Sequence, residues 1–478
     1  MNQQQQTYID GAWTACRGET DTPVTDSYTG QVFASWRTNS PADVDLAVHA
    51  ARRALDKWSG LPPETRIDHV RKVVLALRER ADELTQSISR EVGMPRKLAA
   101  RIQVGAPIAA WEAYAEIARS IEWEQRQGHS LVQQLPVGVV ACITPWNYPL
   151  HQITSKVAPA LLAGCTVVLK PSELAPSSAF VLAQAIDQAG LPPGVFNLVH
   201  GAGADVGEAL VRHPGVDMVS FTGSTRAGRH VAALASADVK RVALELGGKS
   251  AALVMPGADL APAVKATLAS CFLNSGQTCS ATTRLLVPRE SLERVAQLAR
   301  DGVAAYVMGD PADPTTRLGP LISQAQRQKV LQMIDHALQQ GAERWSPELP
   351  VPPQGFYVPP TVLGRVTPSM DIAREEVFGP VLVVIGYGDI DEAVAIANDT
   401  DYGLAATVWG ATPAQALEVA RRLRAGQVDV NGAPFNPAAP FGGFNKSGLG
   451  RENGRYGFEE FLEPRAVQMP ASYFETTS

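Results

Sequence analysis

Apolar residues recur at helical spacing from Ser40 onward, at Val44, Val48, Ala51, Leu55 and Trp58, with Ser40 placed to cap and Asp43 in the first turn. A longer helix is predicted from Glu64 to near Gly93, carrying Ile67, Val70, Val74, Leu77, Ala81 and Leu84 on one face and stopped by Gly93 and Pro95. After Leu131 the rhythm changes to short continuous apolar runs, "VGVVACI", "CTVVLK", "FNLV", "MVSF", "VALEL" and "AALVM", separated by helical patterns such as Ala227 to Ala235. Runs of this kind predict a parallel sheet covered on both faces, a doubly wound α/β arrangement. A second set follows in "RLLVP", "VLVVIGY", "AATVWG" and "QVDVN", interleaved with helices over Gln324 to Gln340 and Pro413 to Arg424. The change of set near Gly247 and Gly248 places a boundary between two α/β domains there. Pro347 to Pro360 reads as a surface loop, and Tyr456 to Met469 as an extended tail with helix breakers at Gly457 and Pro464.

Length and composition narrow the class. A chain of 478 residues exceeds one ordinary core, and its 45% hydrophobic and 19% charged residues fit a folded soluble protein. The net charge of -6, with no Lys/Arg stripe, argues against a nucleic-acid footprint. The start "MNQQQQTYIDGAW" lacks the features of a secretory signal, and no segment approaches the roughly 18 apolar residues of a membrane span. A cytoplasmic protein without a membrane partner is expected. The five cysteines, Cys16, Cys142, Cys165, Cys271 and Cys279, are scattered and show no CxxC spacing, so neither a disulfide framework nor a metal site is expected.

Several short stretches could carry chemistry, and each has an ordinary structural use as well. "FTGSTRAG", Phe221 to Gly228, follows an apolar run and opens a helix; its glycines allow close backbone approach and the helix N-terminus offers N–H groups to a phosphate, yet a strand-to-helix turn needs glycine anyway. "LKPSE" sets Lys170 and Glu173 beyond a strand end, where open parallel sheets bind ligands; taken alone it serves equally as a turn with two solvated charges. A carboxylate there accepts from ribose hydroxyls and repels a 2′-phosphate, which favours NAD over NADP. "ITPWNYP" places Asn147 after a strand, where an uncharged amide can donate to a developing oxyanion or satisfy its own turn.

In "FLNSGQTCSATTRLLV", Cys279 has small or polar neighbours, unlike Cys142, Cys165 and Cys271, which sit among apolar ones. A reactive thiol needs its thiolate favoured, and none of the eight histidines lies near Cys279 in the chain. "LELGGK" puts Glu245 at the end of an apolar run before two glycines, suited to a general base that reaches water, or to a solvated charge.

The ordered set "PWNYP", "LKPSE", "FTGSTRAG", "LELGGK", "GQTCSA", "EEVFGP" and "PFGGFNKSG" resembles the NAD(P)-dependent aldehyde dehydrogenase superfamily from about Tyr8 to Met469. The resemblance implies a Rossmann-like cofactor domain (1–246), a catalytic α/β domain (247–450) and a small β bridging arm (about 121–135), completed by a C-terminal oligomerisation tail (451–478). It implies Cys279 as nucleophile, Asn147 and the Cys279 N–H as oxyanion donors, and Glu245 as base for hydrolysis. Lys170 and Glu173 are implied at the adenine ribose, Ser224 at the pyrophosphate, and Glu376 with Phe378 at the nicotinamide ribose and ring; Thr144, Trp146, Gly223, Leu246 and Gln326 complete the expected cofactor contacts. Tyr148, His151, Gln152, Ser155, Thr278 and Phe435 are expected to line the aldehyde tunnel. The expected partners are a small-molecule aldehyde and a second copy of the chain, as homodimer or homotetramer. Glu245 favours hydrolysis to the free acid over transfer to coenzyme A, and the presence of Cys279 and Asn147 weighs against a silent structural relative.

Overall fold

The structure, a computed structural model, describes residues 2–475; Met1 and residues 476–478, at the outer ends of the expected ranges, lie outside it. Two sheets organise the chain. The first runs in the spatial order Phe196–Leu198, Thr166–Lys170, Val139–Ile143, Met218–Thr222, Arg241–Glu245, all parallel, with the short Gly448–Leu449 strand added antiparallel at the edge. Taken in chain order these five strands lie 3-2-1-4-5, so the sequence of connections reverses between Val139–Ile143 and Met218–Thr222. Open α/β sheets bind ligands at the carboxyl ends of the strands flanking such a reversal.

The second sheet has seven strands, with Thr361–Gly364, Val381–Tyr387, Thr282–Pro288, Ser250–Val254, Ala405–Trp409 and Gln427–Val430 parallel, and Glu343–Arg344 antiparallel at one edge. The run "AALVM", grouped by its composition with the first set, belongs here: Ala251 to Val254 pair with Ala406 to Trp409. The chain therefore changes sheet within the turn between Glu245 and Ser250.

The central strands are buried on both faces, which is why they read as continuous apolar runs rather than as alternation. The Pro149–Ala163 helix is buried nearly all round, wedged between the first sheet and the Ala106–Ser120 and Pro63–Glu79 helices. Pro41–Ser59 starts as expected, with Ser40 accepting from the Asp43 N–H and Asp43 accepting from the Ser40 N–H.

Four expectations need correction. The helix expected from Glu64 to Gly93 is two helices, Pro63–Glu79 and Ala81–Val92, because Arg80 leaves the helical region (φ -102°, ψ 12°) and its N–H turns to the Leu77 carbonyl. No glycine or proline marks that break. The helix expected from Pro413 to Arg424 ends at Ala420. In the tail, Gly457 lies inside the Gly454–Glu459 helix, and Pro464 sits within the Leu462–Gln468 strand opposite Gln134. That strand is at the edge of a three-stranded sheet with Ser130–Pro136 and Glu124–Gln127, and an edge tolerates a residue without an N–H.

Candidate active site

Cys279 follows a turn whose backbone is forced into an uncommon shape. Asn274, Ser275 and Gly276 all have positive φ (51°, 56° and 75°), the first two without a glycine's freedom. The turn persists because its surroundings fix it. The Ser275 hydroxyl donates to the Gly319 carbonyl at 2.7 Å, the Gln277 amide donates to the Asn274 carbonyl at 3.1 Å, and the Gln277 side-chain oxygen accepts from the Ile322 N–H at 2.9 Å. At Gly276 a Cβ would come within 2.1 Å of the Gly379 carbonyl carbon, so only glycine fits.

Asn147 joins this turn to the first sheet. It is buried beyond the Val139–Ile143 strand, and its Nδ2 donates to the Gln277 carbonyl at 3.0 Å. Its own backbone carbonyl accepts from Gln103 and Asn274 side chains, each at 2.9 Å. Sequence reasoning gave no role to Gln103, an amide between Ile102 and Val104, nor to Asn274 and Gln277, which sit in the small and polar stretch before Cys279.

Cys279 itself is half-buried. Burial, followed by the nearby Glu245, Glu376 and Glu452 carboxylates, pushes its thiol up to about 12, opposed by the Ser280 N–H. The Gly247–Gly248 pair explains how these groups come so close. A Cβ on Gly248 would lie 2.7 Å from the Cys279 carbonyl oxygen, and one on Gly247 would lie 2.3 Å from a Glu376 carboxylate oxygen. Ser447 clamps the pair, donating to the Gly247 carbonyl at 2.6 Å while its backbone carbonyl accepts from the Leu246 N–H.

Glu245 ends the Arg241–Glu245 strand 5% exposed, and neither carboxylate oxygen has a hydrogen-bond partner among the described residues. Burial, then the Glu452 carboxylate, raises it well above the ordinary carboxylate range, against the pull of Lys156 and Arg451. Lys156, Arg451 and Glu452 line the same small cavity, where the Lys156 ammonium is ion-paired with Glu452. This buried pair also went unread, although Lys156 is the single charge in the run "ITSKVAPALLAG".

The expected cofactor residues gather at the reversal point of the first sheet. Thr144 and Thr222 stand at the ends of the two flanking strands, each buried with a hydroxyl that has no partner among the described residues. Gly223 donates its N–H to the Glu245 carbonyl, Ser224 caps the Thr225–Ala235 helix, and Gly228 packs so tightly on Leu246 that a Cβ would meet that side chain at 2.4 Å. Lys170 is buried, its amine within 3.4 Å of Glu173 and 3.0 Å of the Pro171 carbonyl; burial lowers its pKa despite Glu173. Glu376 accepts from the Gly248 N–H at 3.2 Å. Trp146 meets the Phe378 ring edge-on, the centroids 5.4 Å apart. Phe378 has φ 57°, and Gln326 holds it there by donating to the Phe378 carbonyl at 2.8 Å. A helix N-terminus after a Gly-containing turn, a carboxylate beyond the neighbouring strand and unpartnered hydroxyls between them fit a dinucleotide.

On the other side of Cys279, the Tyr148 hydroxyl meets Thr278 at 2.7 Å, and its ring packs with Met94 and Ala99. His151, Gln152 and Ser155 follow along the same helix; burial lowers the His151 pKa, against the pull of Glu452. Phe435 is 50% exposed, its ring centroid 6.2 Å from that of Phe441. Elsewhere, Asp45, His49 and His213 converge within 4.8 Å. His213 Nδ1 accepts from the Gly215 N–H, which leaves its Nε2 protonated toward Asp45, a hydrogen-bonded cluster.

A half-buried cysteine, on a turn that an asparagine ties to a crevice suited to a dinucleotide, is the arrangement this fold presents. The aldehyde dehydrogenase family model matches residues 13–467, and the chain belongs to that family. A 3-succinoylsemialdehyde-pyridine dehydrogenase of a Pseudomonas species is 46% identical over 98% of this chain and 99% of its own. Among solved structures, a variant of aldehyde dehydrogenase C from Pseudomonas syringae, in complex with NAD+ and octanal, superposes with a TM-score of 0.95 at 48% identity, covering 97% of this chain and 96% of that one. A Mycobacterium tuberculosis aldehyde dehydrogenase complexed with NAD+ gives 0.95 at 37% identity, with 99% of each chain covered. Among the described residues no helix is long and apolar enough to cross a membrane.

Proposed function

We propose that this aldehyde dehydrogenase uses NAD+ to convert an aldehyde to the free carboxylic acid, through a covalent intermediate on Cys279 that Glu245 helps to hydrolyse. The observation that carries the reading is the hydrogen bond from Asn147 to the Gln277 carbonyl, which sets a neutral donor beside the cysteine. Half-buried beside carboxylates, Cys279 rests as a thiol; its proton passes to solvent water, and the Ser280 N–H favours the thiolate left behind. The sulfur then adds to the aldehyde carbon. The second N–H of the Asn147 amide, not used by Gln277, is available to the oxygen that becomes negative, a contact worth about 3 kcal/mol in a transition state. The bound dinucleotide supplies the hydride acceptor. The thioester left on Cys279 is attacked by water whose proton Glu245 takes, a role suited to a carboxylate whose affinity for protons is raised by burial.

Lys170 and Glu173 would hold the adenine ribose, the Ser224 turn the phosphates, and Glu376, Phe378 and Gln326 the nicotinamide end. The Glu173 carboxylate, and relatives crystallised with NAD+, support NAD+ over NADP+. The named substrates of the similar proteins, a pyridine-bearing semialdehyde and octanal, support a medium or long neutral aldehyde. The edge strand Leu462–Gln468 and the half-buried edge strand Gln427–Val430 suit a homodimer in which strands of one copy extend a sheet of the other. Product analysis with and without coenzyme A tests the reaction: free acid and NADH are expected in both, and acyl-CoA as main product overturns the hydrolytic reading.

A further inference from the structure

We propose that a cavity in the second α/β domain, beside the turn where the chain changes sheet, binds a small inorganic anion of halide size, held by Lys249 and Ser250. The cavity has a volume of about 20 Å³, and its lining includes Lys249, Ser250, Arg284, Thr400, Tyr402 and Arg424 but no acidic residue. Arg424 is exposed and Thr400 and Tyr402 are half-buried, so the lining runs from the interior to the surface. Lys249 and Ser250 follow directly on the Gly247–Gly248 pair, and Arg284 stands on the neighbouring Thr282–Pro288 strand. An ion here would tie the turn to that strand.

Two buried cations meet at this cavity without a counter-charge. Lys249 is 2% exposed and Arg284 3%. Among the described residues the Lys249 amine makes neither a hydrogen bond nor an ion pair. The Arg284 guanidinium donates to three neutral carbonyls, of Lys249 at 2.8 Å, Ile396 at 2.9 Å and Ala397 at 2.8 Å, which orient it but leave its charge uncompensated. The Ser250 hydroxyl, also in the lining, is buried without a partner among the described residues. Asp399 and Asp401, on the segment that passes the cavity, are paired elsewhere, with Arg374 and Lys446. Burial, with Arg284 repelling, lowers the Lys249 pKa to about 7, against the pull of Cys271, Glu376 and Glu375. Water in the cavity would satisfy hydrogen bonds and leave the charges; a buried charge without a partner is far costlier than a buried polar group. Size then selects the anion. A cavity of this volume holds about one or two water-sized bodies, which suits chloride or bromide and is too small for a nucleotide phosphate or a metabolite carboxylate.

Bromide is the probe, because its anomalous scattering reports its position. In crystals of the full-length protein grown without halide and soaked in sodium bromide near neutral pH, an anomalous peak is expected between Lys249 and Ser250. In solution, replacing sodium gluconate by sodium bromide at constant ionic strength should raise the thermal midpoint by about 2–4 °C and then saturate. Lys249→Met removes the charge that the ion would balance. Its midpoint should not respond to bromide, and in gluconate it should equal or exceed that of the wild type, since an apolar side chain there needs no partner. A bromide-soaked wild type without a peak in the cavity overturns the proposal and needs no variant to fold. So does a bromide response that survives Lys249→Met. A peak with no rise in midpoint marks an adventitious ion only, and also overturns it.

Discussion

The Asn147 side chain and the Gln277 carbonyl are 3.0 Å apart, and this bond, with the one from the Asn274 side chain to the Asn147 carbonyl, connects the first sheet to the turn that carries Cys279. It gives Asn147 two duties, holding the turn and offering a donor. Replacement by alanine is therefore expected to lower kcat by about 10² to 10³, measured as NADH formation. Loss of the strut would also lower the thermal midpoint; Asn147→Asp, which keeps the shape but sets a carboxylate oxygen against the Gln277 carbonyl, should lower both the midpoint and kcat at least as far.

Removing the sulfur should end the reaction without ending the fold. Cys279→Ala is half-buried and makes no disulfide, so a native circular dichroism spectrum is expected together with no detectable NADH from any aldehyde. Persistent turnover would remove Cys279 from the mechanism.

Glu245 should act late, after hydride has left. For Glu245→Gln, a burst of NADH near one equivalent per active site is expected, followed by a steady state slowed about 10² or more. The pH dependence has a definite sign. Only the ionised carboxylate takes a proton from water, and the folded-state pKa is raised, so the steady-state rate of the wild type should fall as pH drops through that raised value, well above the usual 4.5. In the glutamine variant this limb should vanish; an unchanged pH profile would show that another group is the base.

Gly276 offers a test of the strained turn. With φ at 75° and a backbone carbonyl 2.1 Å from where a Cβ would stand, Gly276→Ala forces the turn to move. Strain of this kind costs about 1–3 kcal/mol per residue, and the accompanying clash adds to it. A lower unfolding midpoint and loss of activity are expected together, since the same displacement carries Cys279 away from Asn147.

Gln326 does not touch the sulfur, yet it holds the Phe378 carbonyl at 2.8 Å. Gln326→Ala should raise KM for NAD+ several-fold with a smaller change in kcat, and leave the unfolding midpoint nearly unchanged. At the opposite end, Glu173→Gln should narrow the preference for NAD+ over NADP+, because it removes a charge that a 2′-phosphate would meet. Kinetics with both cofactors read out each effect.

Local information carried far in this chain. Doubly buried strands must be apolar throughout, so "VGVVACI", "CTVVLK" and "VLVVIGY" announce a parallel sheet without any knowledge of their neighbours, and Ser40 with Asp43 satisfies a helix start within four residues. The chemistry-bearing stretches were legible for a similar reason: glycine, asparagine, cysteine and glutamate at the ends of such strands have few structural substitutes, and their order matched a family. What the sequence could not express was adjacency. Nothing in "AALVM" says which sheet it joins, since both sheets ask for the same residues; its partner strands are Thr282–Pro288 and, some 150 positions further on, Ala405–Trp409. Nothing local marks Arg80 as a break, and nothing in "ITSKVAPALLAG" says that Lys156 will be neutralised by Glu452, nearly three hundred residues away. The sequence by itself determined which segments are buried and which side chains are candidates for chemistry. Only the tertiary structure decided which of them meet, because hydrogen bonds, ion pairs and the crowding around Gly247, Gly248 and Gly276 arise between segments that share no local pattern.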